Sequence, residues 1–393
     1  MKLIRILKLS FWKSLAIIFI SLGLVAAIER YSLGLGATTN LRDTFPWGIW
    51  IGFDILVGVG LAAGGFTIAA TVYLFNIERF RPILRPTVLT AFLGYVLVIC
   101  GLMADLGRPW AIWHAMIMWN PHSVMFEVAW CVMLYTTVLA LEFSPVVFER
   151  FKLERPLKII HAITIPLVVL GVVLSTLHQS SLGSLFLIIP GRMHPLWYSN
   201  IIPFLFFISC VAAGLSMTIF ESFLSSRAFG REIELPLLTE ISRVLVVVLA
   251  LFFTVRVQDL ISRDALQYVF QPTYQSMLFI GEITVGVVLP FVLLLFKKVR
   301  TSQKGLFYSA ALVILGFVAN RMNTAITSME RWGQRTYLPS WQELFITIAL
   351  AATGFVAFYY IARYFPVFAA HHERTTSPLK EHALMDELRL VSK

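Results

Sequence analysis

Ionisable side chains inside long apolar stretches are the residues of this sequence that are best placed to do chemistry. Asp54, Glu127 and Glu282 each lie about five to seven residues inside an apolar stretch, and Arg256 and Asp259 approach the same depth in another. A charge held in hydrocarbon is costly, so such a group usually faces a protein interior with a partner or water. We therefore expect a functional site at this level. The alternative is a buried network of ion pairs that fixes helix packing.

A second set of polar residues lies deeper in the apolar stretches. Tyr95 stands in the middle of one stretch, whereas Glu142 and Glu221 stand near the predicted cytoplasmic ends of two others. Carboxyl and phenol groups both accept and release protons, so these residues could carry protons together with Glu127. For Glu142 and Glu221, the alternative is an ordinary position at the membrane interface.

Several polar residues are predicted at the outer surface. Asp105 and Arg108 have the i,i+3 spacing of an ion pair at a helix end. Arg108, His114 and His194 are candidates for contact with a docked partner, and packing within the loops is the alternative for the two histidines.

The histidine and cysteine patterns bear on cofactors. A b-type haem in a helix bundle needs two imidazoles at matching depth on facing helices, but His161 and His178 share one predicted helix, about 25 Å apart. Cys100, Cys131 and Cys210 stand singly, with no C-x-x-C spacing. We expect no haem, iron–sulfur cluster or metal site in this chain.

Composition predicts the elements that must position these groups. Of the 393 residues, 58% are hydrophobic and 14% are charged, which is typical of a polytopic membrane protein. The basic residues that give the net charge of +10 are dispersed over short loops, which does not favour nucleic-acid binding. We predict an all-α integral membrane fold with ten spanning helices, at about 11–29, 47–75, 86–105, 122–142, 159–179, 202–224, 243–261, 275–296, 305–323 and 342–364.

The distribution of Lys and Arg predicts the orientation. With ten spans and a cytoplasmic N-terminus, 23 of the 32 basic residues fall on the cytoplasmic side, 8 fall in outer loops, and Arg256 lies in a span. This asymmetry predicts that both termini are cytoplasmic. The first stretch is interpreted as a retained span. Residues 1–370 then form the membrane domain, and residues 371–393 form a polar cytoplasmic tail.

Several segments resemble the NrfD and polysulfide-reductase membrane-anchor family, and in particular its HybB-like branch, the membrane subunit of quinone-linked nickel–iron hydrogenase. The likeness extends from about Leu33 through the tenth stretch. The matching segments are Phe45-Pro46-Trp47-Gly48-Ile49-Trp50-Ile51-Gly52-Phe53-Asp54, Val124-Met125-Phe126-Glu127, Leu177-His178-Gln179-Ser180-Ser181-Leu182-Gly183-Ser184-Leu185, His194-Pro195-Leu196-Trp197, Leu141-Glu142-Phe143, Ile219-Phe220-Glu221 and Pro339-Ser340-Trp341-Gln342-Glu343-Leu344.

The resemblance implies two four-helix bundles plus peripheral helices in a bacterial inner membrane. It also implies a subunit without a redox cofactor of its own, which binds menaquinone near the outer face. A periplasmic ferredoxin-like iron–sulfur partner would connect it to a hydrogenase or a multihaem cytochrome.

Carried over by position, the resemblance puts the quinone headgroup near Asp54, Glu127 and His178, and a proton route through Tyr95, Glu127 and Glu221. We add Gln179 and Trp50 to the quinone site because they lie in the same motifs, and Arg256 because of its depth. Two functions from other classes stay open. Buried Asp, Glu and Arg also suit an ion or solute transporter, although no paired broken helices in two symmetric halves are evident, and a passive membrane anchor is the other alternative.

Overall fold

The fold is a set of long helices that run back and forth across the membrane. The structure is a computed structural model, and it describes residues 11–333 and 336–368, so the predicted tail lies outside the described residues. The described part holds ten helices that are long and apolar enough to span a membrane, which confirms the predicted number. They are α1 (Phe11–Leu33), α2 (Trp50–Tyr73), α3 (Glu78–Asp105), α4 (Val124–Phe151), α5 (Glu154–Ser184), α6 (Ile202–Phe229), α7 (Leu235–Ser262), α8 (Tyr274–Leu295), α9 (Gln303–Met329) and α10 (Trp341–Tyr364).

The helices form two four-helix bundles, as the family resemblance implies. Helices α2, α3, α4 and α5 contact one another in sequence and close into the first bundle, and α6, α7, α8 and α9 close into the second. Helices α1 and α10 lie along each other at the periphery, where α10 also contacts α3. Within the described residues no β-strand forms; an isolated bridge joins Arg42 and Phe45.

Two glycines bring the bundles into backbone contact. A Cβ atom added to Gly214 of α6 would lie 2.5 Å from the backbone nitrogen of Gly64 in α2 and 2.6 Å from the carbonyl carbon of Ala63. The helices can approach this closely because neither glycine carries a side chain. The seam between the bundles is therefore packed at the level of the main chain.

Several helices extend further toward the predicted cytoplasmic side than the apolar stretches indicate. Helix α4 continues to Phe151, nine residues beyond Glu142, and α6 continues to Phe229, eight residues beyond Glu221. Polar residues can continue a helix beyond the apolar part that fixed the prediction. Glu142 and Glu221 are consequently interior helix residues and do not stand at helix ends.

Helix α2 starts with an irregular turn that sets the direction of its polar residues. Residues Trp50–Val57 are π-helical, and the chain is interrupted again between Leu61 and Gly64. A π-helical segment rotates the following side chains relative to an α-helix, and such segments are frequent at functional sites. A second π-helical segment, Thr284–Val288, lies in α8, the third helix of its bundle. The two segments therefore occupy different positions in the two bundles.

The connections 34–49, 106–123, 185–201, 263–273 and 330–340 lie at one end of the helices, which we name the outer end after its predicted orientation. Two arginines that were assigned to outer loops in the charge count, Arg30 and Arg321, are instead buried in α1 and α9. Arg30 donates 2.8 Å hydrogen bonds to the carbonyl oxygens of Ala104 and Leu106. It thereby ties α1 to the end of α3, where helix carbonyls lack partners.

Candidate functional site

The interior of the first bundle holds a hydrogen-bonded pair of side chains. The hydroxyl of Tyr95 in α3 lies 2.8 Å from Nδ1 of His178 in α5, and both residues are completely buried. The ring of Tyr135 in α4 packs edge-on against Tyr95, with 4.7 Å between ring centroids. The other ring nitrogen of His178, Nε2, is buried without a hydrogen-bond partner among the described residues. Because an unpaired buried polar group is costly, this nitrogen is suited to a ligand or water.

A carboxylate lies one turn closer to the outer end. Glu127 is the fourth residue of α4, and its Oε1 accepts a 2.5 Å hydrogen bond from the hydroxyl of Ser181 in α5. Ser181 lies three residues after His178, so the two side chains share one face of α5. Glu127 itself is exposed. The sequence did not single out Ser181, because a serine in an apolar stretch is common.

Aromatic side chains surround the exposed Glu127. Trp130 follows it by one turn, and the ring centroid of Trp119 lies 4.7 Å from that of Trp130. Phe126 packs against both rings. Trp130 is held in place because its indole nitrogen donates a 2.9 Å hydrogen bond to the carbonyl oxygen of Ala115. We call Trp119, Phe126 and Trp130 the aromatic rim.

Further polar atoms extend inward from the His178 pair. The buried hydroxyls of Tyr135 and Ser175 lie close to each other, and Oε1 of Gln179 is buried without a hydrogen-bond partner in the part of the chain that the structure describes. Gln179 is fixed from its other end, where Nε2 donates to the carbonyl oxygen of Val59 at 3.1 Å. Such groups are usually satisfied by buried water where space allows.

The two inner carboxyls lie on different sides of the first bundle. Glu142 faces α5, where its Oε1 approaches Gly171. Glu221 comes from α6 and lines a cleft between the bundles together with Thr87, Thr90 and Thr218. Both carboxyl oxygens of Glu221 are buried, and Ser225 on the same helix is a side-chain donor beside them. Of the predicted proton-transfer residues, Tyr95 and Glu142 thus lie within the first bundle, and Glu221 lies at its seam.

Asp54 and Trp50 lie on another face of α2. Oδ2 of Asp54 accepts a 2.7 Å hydrogen bond from Thr347 in α10, and its carboxyl group packs against Gly101 of α3. Trp50 packs in a cluster with Ala104 of α3 and residues of α1 and α10, where its indole nitrogen has no described partner. Asp54 shares the predicted depth of Glu127, but its contacts point to the peripheral helices and not to the Tyr95–His178 pair.

Arg256 belongs to a separate polar cluster in the second bundle. It donates a hydrogen bond to the carbonyl oxygen of Leu196, and its Nη1 lies 3.6 Å from Oδ2 of Asp259. Arg263 forms the closer ion pair with Asp259, at 2.6 Å. The described contacts of Arg256 therefore lie within the second bundle and the loop before α6. The sequence analysis placed Arg256 beside Glu127 and Asp54 because the three residues have a similar predicted depth. In the structure Arg256 contacts the second bundle instead, because depth does not specify the direction in which a side chain points.

Glu282 completes the second-bundle cluster through neutral donors. Its two carboxylate oxygens accept hydrogen bonds from the Trp197 indole at 3.1 and 3.2 Å, from Asn320 at 3.0 Å and from Asn323 at 2.7 Å. The sequence interpretation missed both asparagines. The sequence did contain a signal for them, since Asn320, Arg321 and Asn323 are three polar residues within four positions of one apolar stretch.

The candidate docking residues differ in exposure. Arg108 is exposed, but the predicted ion pair with Asp105 does not form, and Oδ1 of Asp105 is buried without a described partner. His114 is half-buried against Trp113. His194 is buried: its Nδ1 accepts from the backbone nitrogen of Leu196 at 3.2 Å, and its ring packs on Tyr268. This placement favours loop packing over direct docking for His194.

The described histidines do not supply the donor set of a b-type haem. His178 is buried in its helix and Nδ1 is engaged by Tyr95, whereas His161 is exposed on the same helix. No second helix offers an imidazole opposite His178 in the residues that the structure describes. Those residues also contain no group of three or more His, Cys, Asp or Glu side chains that could hold a metal ion. The described histidines therefore do not fit the axial-ligand pair of a b-type haem.

The double-bundle fold defines a multi-pass membrane protein with a buried polar site in its first bundle. Residues 37–329 match the family model described as "Polysulphide reductase, NrfD", and the chain belongs to this family. The family resemblance drawn from the motifs is thereby confirmed.

Three relatives cover almost the whole chain. A protein of Nitratidesulfovibrio vulgaris is 38% identical, over 90% of this chain and 93% of its own length. The "Probable Ni/Fe-hydrogenase 2 b-type cytochrome subunit" of Escherichia coli K12 is 34% identical, over 86% and 88%. The "Menaquinone reductase, integral membrane subunit" of Nitratidesulfovibrio vulgaris is 29% identical, over 93% of each chain. This chain is accordingly a respiratory membrane subunit.

Proposed function

We propose that this chain is the quinone-interacting subunit of a respiratory complex and exchanges electrons between a periplasmic iron–sulfur partner and menaquinone. The observation that carries the proposal is the polar column of the first bundle, in which Glu127–Ser181 lies one turn outside His178–Tyr95. The names of two relatives, a hydrogenase subunit and a menaquinone reductase subunit, support it. The partner complex would be a hydrogenase or a multihaem cytochrome complex.

The exposed face of Glu127 supplies an opening for a lipid-soluble substrate. Glu127 is exposed in the first turn of α4, and the Ser181 hydroxyl of α5 donates a hydrogen bond to it. The aromatic rim beside it is apolar and flat, and aromatic rings favour offset stacking with other rings. A quinone ring arriving from the lipid would contact Trp119 and Trp130 first and then reach Glu127. Its isoprenoid tail would remain in the membrane.

The chemistry at this position follows from the charge that reduction creates. Menaquinone takes up two electrons and two protons to become menaquinol, and the electrons come from the iron–sulfur partner. Negative charge on the ring oxygens is strongly disfavoured in an apolar pocket unless a proton donor is present. In the proposed mechanism Glu127 donates one proton to one ring oxygen, and Nε2–H of His178 donates the second proton to the other while Nδ1 takes a proton from the Tyr95 hydroxyl. Oxidation of menaquinol would use the same groups in reverse.

Protons would be replaced along the inner part of the column. Tyr95 connects to His178 directly, and the neighbouring hydroxyls of Ser175 and Tyr135 lie next to it. Waters that satisfy these hydroxyls would link the column to Glu142, which lies fifteen residues from Glu127 on the same helix, or about 22 Å. Glu221 offers a second branch through the threonine-lined cleft at the seam. Gln179 holds α5 to α2 beside this route.

Asp54, Trp50 and Arg256 lie outside the core of the proposed site. Asp54 and Trp50 join α2 to the peripheral helices and act as positioning groups for the start of α2. Arg256 belongs to the second bundle. Arg108 and His114 remain the proposed contacts for the iron–sulfur partner, because both lie in the outer connection that carries Trp119 of the aromatic rim.

The decisive experiment is Glu127→Gln in the intact complex, with electron transfer to a menaquinone analogue as the readout. We expect a loss of about 10²-fold or more in turnover, as for removal of a general acid, while the complex still assembles. The matched control is Glu154→Gln, which changes an exposed glutamate at the start of α5. Normal turnover of the Glu127 variant would remove Glu127 from the mechanism. A chain that assembles but binds no menaquinone would support the passive-anchor alternative.

A further inference from the structure

The second bundle contains a cavity with an excess of positive charge, which the proposed function does not use. Arg256 of α7 and Arg321 of α9 both line it, together with Trp197, Asn320 and Thr324; the other walls are apolar. Arg256 is 4% exposed and Arg321 is 1% exposed. Two guanidinium groups that face one cavity within a membrane need compensation by negative charge.

The nearby carboxylates leave this charge uncompensated. Asp259 is engaged by Arg263, which donates to both of its oxygens at 3.0 and 2.6 Å, and by the Ser199 hydroxyl at 2.7 Å. Glu282 is therefore the one nearby carboxylate among the described residues whose negative charge could balance Arg256 and Arg321. It does not line the cavity, and its oxygens are filled by the neutral donors Trp197, Asn320 and Asn323. One negative charge thus stands against two positive charges.

The donor count of the two arginines leads to the same conclusion. A guanidinium has five N–H groups, but the hydrogen bond that Arg256 makes among the described residues is to the Leu196 carbonyl. Its 3.6 Å separation from Asp259 is too long to count as a good hydrogen bond. Several N–H groups of Arg256 therefore have no acceptor in the described part of the chain.

Arg321 is held rigidly at the opposite wall. Its Nη2 donates to Ser209 at 2.8 Å and its Nη1 donates to the Asn320 amide oxygen at 2.8 Å. Its guanidinium carbon lies 3.6 Å from the centre of the Phe206 ring. Its Nη2 also donates to the Phe206 carbonyl at 3.2 Å and to Cys210 Sγ at 3.3 Å, so every described acceptor of this guanidinium is neutral and its charge has no paired carboxylate.

We propose that this cavity binds one small monovalent anion, such as a halide or nitrate, between Arg256 and Arg321. The anion supplies the missing negative charge and accepts hydrogen bonds from the remaining N–H groups of Arg256. It also fastens the 185–201 connection, since Arg256 holds the Leu196 carbonyl of that connection. This site is independent of the quinone site, and neither Glu127 nor His178 takes part in it.

The test uses bromide and nitrate as probes on the purified full-length chain, in gluconate buffer at constant ionic strength. We expect a saturable rise in the thermal unfolding midpoint with either probe. The rise should be lost in Arg256→Gln and Arg321→Gln, and it should be retained in Arg108→Gln, which changes an exposed arginine. Equal, non-saturating shifts in all four proteins would show a general salt effect and would overturn the proposal.

A second measurement does not depend on the variants folding. Crystals of the unmodified chain grown with bromide should give an anomalous difference peak between the two guanidinium groups. Absence of this peak at a bromide concentration that saturates the thermal shift would overturn the proposal. Density for a quinone in this cavity would overturn it as well.

Discussion

The hydroxyl of Tyr95 and Nδ1 of His178 are hydrogen-bonded at 2.8 Å inside the first bundle, where neither side chain has any exposed surface. The bond joins α3 to α5 and fixes the direction of the imidazole ring. Because Nδ1 is engaged, Nε2 is the ring nitrogen that is left for a ligand or water. The same contact therefore serves the packing of the bundle and the orientation of a reactive group.

Tyr95→Phe should test this relationship. The substitution retains the ring but leaves Nδ1 of His178 unpaired, which should lower the free energy of unfolding by about 1–3 kcal/mol. Turnover with a menaquinone analogue should fall by about 10²-fold, and its pH profile should change shape because a proton relay is interrupted. Tyr364→Phe, at an exposed position, is the control. A variant with reduced stability and an unchanged pH profile would assign Tyr95 a purely structural role.

Thr347→Val and Asp54→Asn should separate packing from catalysis at the start of α2. Loss of the 2.7 Å hydrogen bond between these side chains should cost about 1.5–3 kcal/mol, since its acceptor is a carboxylate. Because Asp54 lies apart from the Glu127 column, we expect turnover per folded complex to stay within about twofold in Thr347→Val. Menaquinone reduction assays normalised to the amount of assembled complex would measure this. A collapse of turnover in both variants, at normal assembly, would return Asp54 to the quinone site.

Gly316→Ala should destabilise the second bundle. A Cβ on Gly286 of α8 would lie 2.5 Å from Cα of Gly316 in α9, so the two backbones are in direct contact. An added methyl group must push them apart, at a cost of about 1–3 kcal/mol or more. Gly281→Ala in α8 has open space around it and is the matched control, with an expected gain of up to about 1 kcal/mol. Unfolding in mild detergent would compare the two variants, and equal stability would contradict the packing.

Tyr337 should make the stability of the chain sensitive to alkaline pH. The pKa of the Tyr337 hydroxyl is raised above its ordinary value, mainly because the group is buried and also because it donates a hydrogen bond to Glu343. In the unfolded chain a tyrosine loses its proton near about pH 10. The unfolded chain then binds fewer protons than the folded chain, so the free energy of unfolding falls as the pH rises above that value. Below it, the contribution is fully present.

Unfolding curves at pH 8 and at pH 11 would measure this effect. Tyr337→Phe should lose less stability between the two pH values than the unmodified chain, although it starts from a lower value. Tyr198→Phe, which changes another tyrosine in an outer connection, serves as the control. An identical loss in Tyr337→Phe and in the unmodified chain would show that this hydroxyl is not responsible.

The sequence predicts the ten helices well because an apolar stretch of about twenty residues is a local property. It also predicts the depth of Asp54, Glu127 and Arg256. It does not predict the face on which each side chain lies, because helix rotation depends on packing and on the π-helical turn at Trp50–Val57. The three residues therefore share a level but contact different helices.

Most of the residues of the candidate site that could not be predicted from the sequence have neutral polar side chains. Ser181, Asn320 and Asn323 complete the hydrogen bonding of Glu127 and Glu282, yet neutral polar residues give a weak signal in an apolar sequence. The π-helical segments were equally hidden, since no residue pattern in Thr284–Val288 demands one. Arg30 and Arg321 were counted with the outer loops because both stand near the ends of their apolar stretches, although α1 and α9 continue beyond them.

The glycine contact between Gly64 and Gly214 restricts how such a chain can convert energy. An alternating-access carrier must rock one half of its fold against the other to expose a solute first on one side and then on the other. Here the two halves are in main-chain contact at Gly64 and Gly214, which resists such a rocking motion at this point. This contact suits the proposed function, in which only electrons and protons move while the two bundles stay in place.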